Sequence, residues 1–226
     1  MSELIDLVTR IAAPEGGFVQ ASSTVQYKEY ERSAHSAGFL DLQSGDCRAS
    51  LVCVVNPSNP TGDFKPLQEM KSWIEALGDC DPHDVLMWLG AGWMEASLAS
   101  QHDWLAVMAA RGVLVFILHS WTKLWCCPGL RLGSCVCPTL DLAERVRSRQ
   151  VPWSVNSPAL AFLSAAIRDE VFLARTWELT PQWNRSAREA MHKAFPGWEV
   201  HGPSWASWLW VDTGDGATLK AALLLA

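Results

Sequence analysis

Residues 113–133 read VLVFILHSWTKLWCCPGLRLG, an apolar run followed directly by polar and basic side chains. The run at residues 113–118 has the length of a strand and no polar position, which is typical of a strand buried on both faces of a parallel sheet. The residues that follow would lie at the carboxyl end of that strand, where such sheets bind their ligands. The sequence therefore predicts a site built around Lys123.

Two further apolar runs of strand length, residues 51–55 and 85–89, alternate with helical patterns. Short apolar strands separated by helices predict an α/β fold with a mostly parallel central sheet and helices on both faces. Other helical and strand patterns complete this prediction: a short strand at 17–20, helices at 3–11, 27–37, 66–77, 102–111 and 140–148, and a long helix at 157–192 with a break near Pro181.

The pattern of predicted strands and helices changes along the chain and predicts three parts. Residues 1–150 would form the large domain, residues 151–195 a helical region between domains, and residues 196–226 an incomplete small α+β domain. In the last part, a strand pattern at 207–211 is followed by Gly214, Gly216 and a helix start. These boundaries are expectations from periodicity and from turn residues.

Charge and hydropathy exclude several classes of partner. The 226 residues carry a net charge of -6, which disfavours binding to nucleic acid or to an anionic membrane. No apolar run approaches the roughly 20 residues of a membrane span, and the acidic start is unlike a signal peptide, so we expect a cytoplasmic protein. Cys135-x-Cys137 lacks a second metal-spaced pair, so we expect no metal site and predict that the seven cysteines are reduced thiols.

The loop at residues 56–62 has the sequence NPSNPTG and directly follows the strand pattern at 51–55. Proline fixes φ and glycine permits a tight turn, so the loop is predicted to be rigid. A rigid loop at this edge could aim the amide of Asn59 at a ligand. The alternative is a proline-rich turn without a role in binding.

The segment at residues 119–133 places a lysine between two groups that suit a phosphate. We expect Lys123 to be buried, which would lower its pKa and leave a free amine for a Schiff base. Ser120 offers a hydroxyl donor and Arg131 a bidentate guanidinium. The alternative is a solvent-exposed lysine beside a serine that caps a helix.

The two segments together resemble the fold-type I pyridoxal-phosphate enzymes, specifically the class I and II aminotransferases. NPSNPTG is similar to their asparagine loop, and SWTKLWCCPGLRLG to their S-x-[ST]-K…GLR-x-G lysine segment. The resemblance implies that pyridoxal 5′-phosphate is the cofactor and that Lys123 holds it as an aldimine and then moves protons. It implies that Asn59 contacts the phenolic oxygen of the cofactor and that Ser120 and Arg131 grip its phosphate.

Further segments extend the resemblance. Residues 2–5 resemble the helix start that holds the cofactor phosphate, which implicates Ser2, and Tyr27 in YKEYE is similar to a family tyrosine that lies over the pyridine ring. PWSVN at 152–156 resembles a segment of the threonine-phosphate decarboxylases of cobalamin biosynthesis and of histidinol-phosphate aminotransferases. The resemblance implies that Asn156, like Asn59, contacts the substrate.

The implied function is that of an aminotransferase acting on a small amino acid, phosphorylated or not, in a homodimer. A decarboxylase like those of cobalamin biosynthesis is the first alternative, because both reactions start from the same aldimine and the sequence does not fix which bond at Cα is broken. The second alternative is an inactive remnant. A nucleotide-binding α/β domain is disfavoured because neither G-x-G-x-x-G nor G-x-x-x-x-G-K-[ST] is present.

The sequence departs from the family pattern where an aspartate normally pairs with the pyridine nitrogen. The segment after the strand pattern at 85–89 places Gly90, or Leu89 after a shift by one, at that position. Asp84 would lie at the opposite end of the strand, too far away to replace it. We also expect the chain to lack the family's N-terminal closing segment and its small-domain arginine, which together with the missing aspartate supports the inactive alternative.

Overall fold

The computed structural model describes residues 1–21, 25–77, 84–89 and 102–216, and for residues 84–89 it describes the backbone. Eight helices are found in these ranges: α1 Ser2–Thr9, α2 Glu29–Ser36, α3 Leu67–Leu77, α4 His102–Ala110, α5 Trp121–Leu124, α6 Leu140–Arg149, α7 Ser157–Ala166 and α8 Glu170–Ala194. Seven strands accompany them: β1 Phe18–Gln20, β2 Leu51–Asn56, β3 Asp84–Leu89, β4 Leu114–His119, β5 Ser134–Val136, β6 Glu199–His201 and β7 Trp210–Asp212.

The central sheet has five strands in the order β1-β2-β3-β4-β5. Strands β1 to β4 are parallel to one another, whereas β5 runs antiparallel to β4 at the edge. Asn56 pairs with Leu89 and Trp88 with Leu118, so β2, β3 and β4 end at the same edge of the sheet. This confirms the predicted α/β fold with a mostly parallel sheet.

Both faces of β2 and β4 are buried, which explains why residues 51–55 and 114–118 are continuously apolar. In β4, Phe116 and Leu118 pack into one core cluster with helices α1, α2 and α6. Val115 and Ile117 point to the other face and pack with Met108 and other residues of α3 and α4. Side chains alternate along a strand, so an interior strand covered on both faces must be apolar at each of these positions.

The predicted long helix at 157–192 is broken at a different place from the one expected. Helices α7 and α8 are separated at residues 167–169, and Pro181 lies inside α8, so the predicted break near Pro181 is wrong. The physical signal for the boundary is the side chain of Asp169, which accepts a hydrogen bond from the Phe172 N–H at 2.9 Å and caps α8. Capping chemistry therefore decided this boundary rather than the proline.

The C-terminal part contains a separate two-stranded antiparallel sheet, β6-β7. The strand predicted at 207–211 is β7, which begins at Trp210, and β6 had not been predicted. Helix α8 holds this part through Arg188, whose guanidinium donates to the carbonyls of Val200 and His201, both at 3.0 Å. The division of the chain at residues 150 and 195 stays a prediction.

Two further findings concern the cysteines and the helices. Cys47 is disulfide-bonded, so the prediction that all seven cysteines are free thiols is wrong, while Cys53, Cys126, Cys127, Cys135 and Cys137 are free.

Among the helices in the described ranges, none has the length and apolarity needed to cross a membrane.

Candidate functional site

Strand β4 ends at His119, and the chain then turns into the four-residue helix α5, which contains Lys123. Ser120 lies at the N-cap position of this helix and is only 5% exposed. Its Oγ lies 3.4 Å from Oγ1 of Thr122, which is also buried. The turn therefore presents two hydroxyl groups and one amine at the carboxyl edge of the sheet.

Arg131 approaches the same edge because of an unusual backbone conformation. It follows a 3₁₀ turn at Pro128–Leu130 and has φ 56° and ψ 55°, in the left-handed region. A guanidinium N–H of Arg131 donates to the Pro128 carbonyl at 3.0 Å. Gly133 completes the segment, since a Cβ there would lie 2.9 Å from the His119 carbonyl oxygen. This close approach excludes a side chain at position 133.

A cavity of about 310 Å³ of empty volume, part of it open to solvent, lies at this edge, and we call it the Lys123 cavity. Its lining residues are Met1, Ser2, Tyr27, Ser120, Thr122, Lys123, Arg131 and Leu132. Five of the seven predicted site residues, Ser2, Tyr27, Ser120, Lys123 and Arg131, are therefore brought together.

The electrostatics of the cavity favour an anion. Lys123 and Arg131 line it, and helix α1 begins beside it without a side-chain cap, so the N–H groups of its first turn are not occupied by a capping side chain. The partly buried α-ammonium group of Met1 also lies at this cavity. Burial lowers its pKa first, and the charges of Arg131 and Lys123 lower it further.

The expectation that Lys123 is buried is wrong. Its side chain is exposed, because it projects from a short surface helix beyond the end of β4 rather than from the sheet itself. The case for Lys123 depends instead on its position in a cavity with two hydroxyls and a guanidinium.

Tyr27 is half-buried at the wall of the cavity and contacts Tyr30 edge to face, with ring centroids 6.2 Å apart. Tyr30 is 1% exposed in the core, and burial raises its pKa well above the usual value for a tyrosine. The buried ring of Tyr30 therefore orients Tyr27, which could lie against a flat ligand.

In the asparagine loop, the side chain of Asn56 rather than that of Asn59 makes hydrogen bonds with the following residues, and the rigidity of the loop stays a prediction. The Asn56 amide donates to the Lys65 carbonyl at 2.9 Å and accepts from the Lys65 N–H at 2.8 Å. The Pro60 carbonyl accepts from the indole N–H of Trp208 at 2.9 Å. Asn59 is exposed and is not among the residues that line the Lys123 cavity, so its contact with the cofactor stays a prediction.

Asn156 also lies outside the lining of the cavity and is held by two local hydrogen bonds. Its side chain accepts from the Ala159 N–H at 2.8 Å, which caps helix α7, and donates to the Leu130 carbonyl at 3.1 Å. Leu130 immediately precedes Arg131, so Asn156 ties the start of α7 to the arginine turn. Its contact with a substrate stays a prediction.

Thr122 is the lining residue with a functional side chain that the sequence analysis did not assign. The signal was present, because Thr122 occupies the [ST] position of the S-x-[ST]-K pattern. Thr122 is 3% exposed, and its hydroxyl group lies next to the hydroxyl group of Ser120. It could donate a hydrogen bond to the same anion as Ser120.

The position expected to carry an aspartate lies at the end of β3. Gly90 lies outside the described residues, and Leu89 is the last residue of the strand. Asp84 begins β3 and pairs with Leu51 and Leu114, at the edge of the sheet opposite to the cavity. The length of β3, at roughly 3.3 Å per residue, therefore separates Asp84 from the cavity, and this confirms that Asp84 is too distant to contact a ligand near Lys123.

Comparison with known proteins agrees with this arrangement. A profile of the family described as aminotransferase class I and II matches residues 21–221. Histidinol-phosphate aminotransferase 1 of Dechloromonas aromatica is 28% identical over 177 residues, which are 77% of this chain and 46% of that relative. The chain thus spans about half the length of the curated relatives it matches.

Solved structures share the fold. The histidinol-phosphate aminotransferase from Clostridium acetobutylicum superposes with a TM-score of 0.68 at 17% identity, over 90% of this chain and 63% of that one. The L-threonine-O-3-phosphate decarboxylase from Porphyromonas gingivalis gives a TM-score of 0.64 at 18% identity, over 91% and 61%. At such identities the similarity supports the fold alone.

Proposed function

The chain belongs to the class I and II aminotransferases, a family whose cofactor is pyridoxal 5′-phosphate, and we propose that the Lys123 cavity binds this cofactor. The observation that carries the proposal is the convergence of Ser2, Ser120, Lys123 and Arg131 on one cavity at the carboxyl end of β4. Hydroxyls, a guanidinium and a helix N-terminus suit a phosphate, and an amine suits an aldehyde.

Each lining residue would have a distinct task. The hydroxyls of Ser120 and Thr122 and the guanidinium of Arg131 would bind the phosphate, while Tyr27 would lie against the ring. The Nζ of Lys123 would attach the cofactor, and after the amine of the substrate has replaced it, would take a proton from the substrate Cα. Bound pyridoxal phosphate would supply the electron sink that makes this proton removable.

We propose transamination of a small amino acid, phosphorylated or not, as the reaction. The names of two similar proteins, a histidinol-phosphate aminotransferase and an L-threonine-O-3-phosphate decarboxylase, both include a phosphorylated amine. Decarboxylation differs in which bond at Cα is broken, so the two reactions are separated by assaying 2-oxo acid formation and CO₂ release on the same panel of amino acids. A homodimer in the cytoplasm, as is typical of the family, completes the proposal.

A catalytically weak or inactive cofactor-binding protein is the second candidate, and the end of β3 favours it. Leu89 closes this strand where the family has an aspartate nearby, and Asp84 lies at the opposite end. A pyridine nitrogen without a carboxylate partner loses its proton more readily, so the cofactor withdraws electrons less strongly. We expect Gly90→Asp to raise transamination activity by at least tenfold, about 1.4 kcal/mol in activation free energy. An unchanged rate would contradict this alignment.

The decisive test of cofactor binding compares two lysine variants. Titration of the purified chain with pyridoxal phosphate should produce a visible absorption band, and reduction with borohydride should fix the cofactor on residue 123, as located by peptide mass spectrometry. Lys123→Ala should abolish both signals. Lys193→Ala, at an exposed position in α8, is the matched control and should leave both unchanged. Fixation spread over several lysines would refute the proposed site.

A further inference from the structure

Two free cysteines at the edge of the sheet lie close enough to react with each other. Cys135 is the middle residue of β5, and Cys137 follows the end of this strand. Both pack against the core cluster on the α1 side of the sheet, whereas Val136 between them packs against the cluster on the other face. Strand alternation therefore places the two thiols side by side, with 3.7 Å between their Sγ atoms.

We propose that Cys135 and Cys137 form a reversible dithiol–disulfide pair that reacts with low-molecular-weight disulfides such as glutathione disulfide. Both residues are half-buried, so a small disulfide can reach them. This site is independent of the proposed cofactor site, since neither cysteine lines the Lys123 cavity.

Closing a disulfide requires a local movement of the backbone, because an extended chain holds the Cβ atoms of residues two apart at about the same spacing as their Cα atoms, beyond the roughly 3.5–4.5 Å of a disulfide. If the chain continues extended from β5 to Cys137, the two Cα atoms are separated by about 6.4–6.8 Å. Disulfides span Cα distances of about 4.4–6.8 Å, so this pair lies at the upper limit. A bond formed near the limit stores strain and is reduced more readily than a structural disulfide. The product is therefore expected to be reversible.

The surroundings of the two thiols give them different roles. The hydrogen bond from the Cys135 thiol lowers the pKa of Cys137. The same hydrogen bond, together with burial, raises the pKa of Cys135 well above the usual value for cysteine. Cys137 is thus the more readily formed thiolate, and thiolates are the nucleophiles of disulfide exchange.

The exchange proceeds in two balanced steps. The Cys137 thiolate attacks one sulfur of glutathione disulfide, which forms a mixed disulfide and releases one glutathione thiolate. Cys135 then passes its proton to the released glutathione thiolate and attacks the Cys137 sulfur, which forms the intrachain disulfide and releases the second glutathione as a thiolate that takes up the proton Cys137 had lost to solvent. The two protein thiols are oxidised, glutathione disulfide is reduced to two glutathione molecules, and no other oxidant is needed.

The test uses the full chain equilibrated in buffers of increasing glutathione disulfide content, then quenched with acid, alkylated and digested with trypsin. Cleavage after Arg131 and Arg145 gives a peptide, residues 132–145, that contains Cys135 and Cys137 and no other cysteine. We expect this peptide to lose both alkylation sites and to become two hydrogens lighter. Cleavage after Lys123 gives residues 124–131 with Cys126 and Cys127, an internal comparison in which reaction should appear as added glutathione rather than as the loss of two hydrogens.

Variants test the order of the two steps. In Cys135→Ser, the mixed disulfide cannot be resolved, so the 132–145 peptide should retain one glutathione. In Cys137→Ser, the same peptide should carry less glutathione than it does in Cys135→Ser. The reverse pattern would overturn the assigned order. The pair itself would be refuted if the wild-type peptide stayed doubly alkylated at every ratio, retained glutathione, or lost two hydrogens only in parallel with the comparison peptide.

Discussion

Arg131→Gly separates the role of the guanidinium in binding from the cost of its backbone conformation. A residue with a side chain costs about 1–2 kcal/mol in the left-handed region, and glycine removes that cost. Glycine also loses about 0.5–1 kcal/mol in chain entropy, and the hydrogen bond from Arg131 to the Pro128 carbonyl, worth about 0.5–1.5 kcal/mol, disappears. These terms nearly cancel, so the free energy of unfolding should change by less than about 1 kcal/mol.

Binding of the cofactor should change much more than stability. A hydrogen bond from a charged group contributes about 1.5–3 kcal/mol, and because Arg131 is exposed the lower value applies. The expected loss is then about tenfold in affinity for pyridoxal phosphate. Pyridoxal, which has no phosphate, should bind equally well to the wild type and to Arg131→Gly.

The assay is absorbance titration with both compounds, alongside urea unfolding of each variant. Trp153→Gly is the control, because Trp153 has φ 59° and is 96% exposed but is not among the residues lining the Lys123 cavity. It should leave both affinities unchanged. The reasoning would be refuted if Arg131→Gly weakened pyridoxal and pyridoxal phosphate by the same factor, or weakened neither.

Two more predictions follow from the neighbours of the site. Asn156→Ser keeps the cap of α7 but loses the hydrogen bond to the Leu130 carbonyl, so it should lower the affinity for pyridoxal phosphate a few-fold with little change in stability. Asn156→Ala should lower the affinity in the same way and also reduce the free energy of unfolding in urea by about 1 kcal/mol. Equal affinities of the wild type and both variants would contradict the link between Asn156 and Arg131. Burial lowers the pKa of His119, so the unfolded chain binds its proton more readily, and stability should fall as pH is lowered below about 6.5. His119→Phe keeps an aromatic ring against Trp121, and its stability, measured as the urea midpoint, should fall less than that of the wild type between about pH 7 and pH 5. An equal loss of stability in the wild type and the variant would argue against His119 as the cause of the pH dependence.

Several features of the fold were predictable because they depend on local chemistry. Strand β4 is apolar at each position from Leu114 to Leu118, and this pattern can be recognised without knowledge of the neighbouring elements. The break between α7 and α8 was predicted near Pro181 because proline usually interrupts a helix. The residue that decides the boundary is Asp169, whose side chain caps α8, and an aspartate in the sequence does not by itself show that it caps a helix. The antiparallel edge strand β5 was not predicted, since a three-residue strand carries little periodicity.

The candidate site was likewise predictable only in part from the sequence. Ser120, Lys123 and Arg131 were predicted from one contiguous segment, and their order along the chain is enough to bring them to one edge of a parallel sheet. The amino acid sequence by itself therefore determined the fold class and the types of side chain at the carboxyl end of β4. The tertiary structure alone decided that Lys123 is exposed, that Asn156 braces the turn before Arg131, and that Cys135 and Cys137 touch. Exposure and contact depend on how separate elements pack, and that information is spread over residues far apart in the chain.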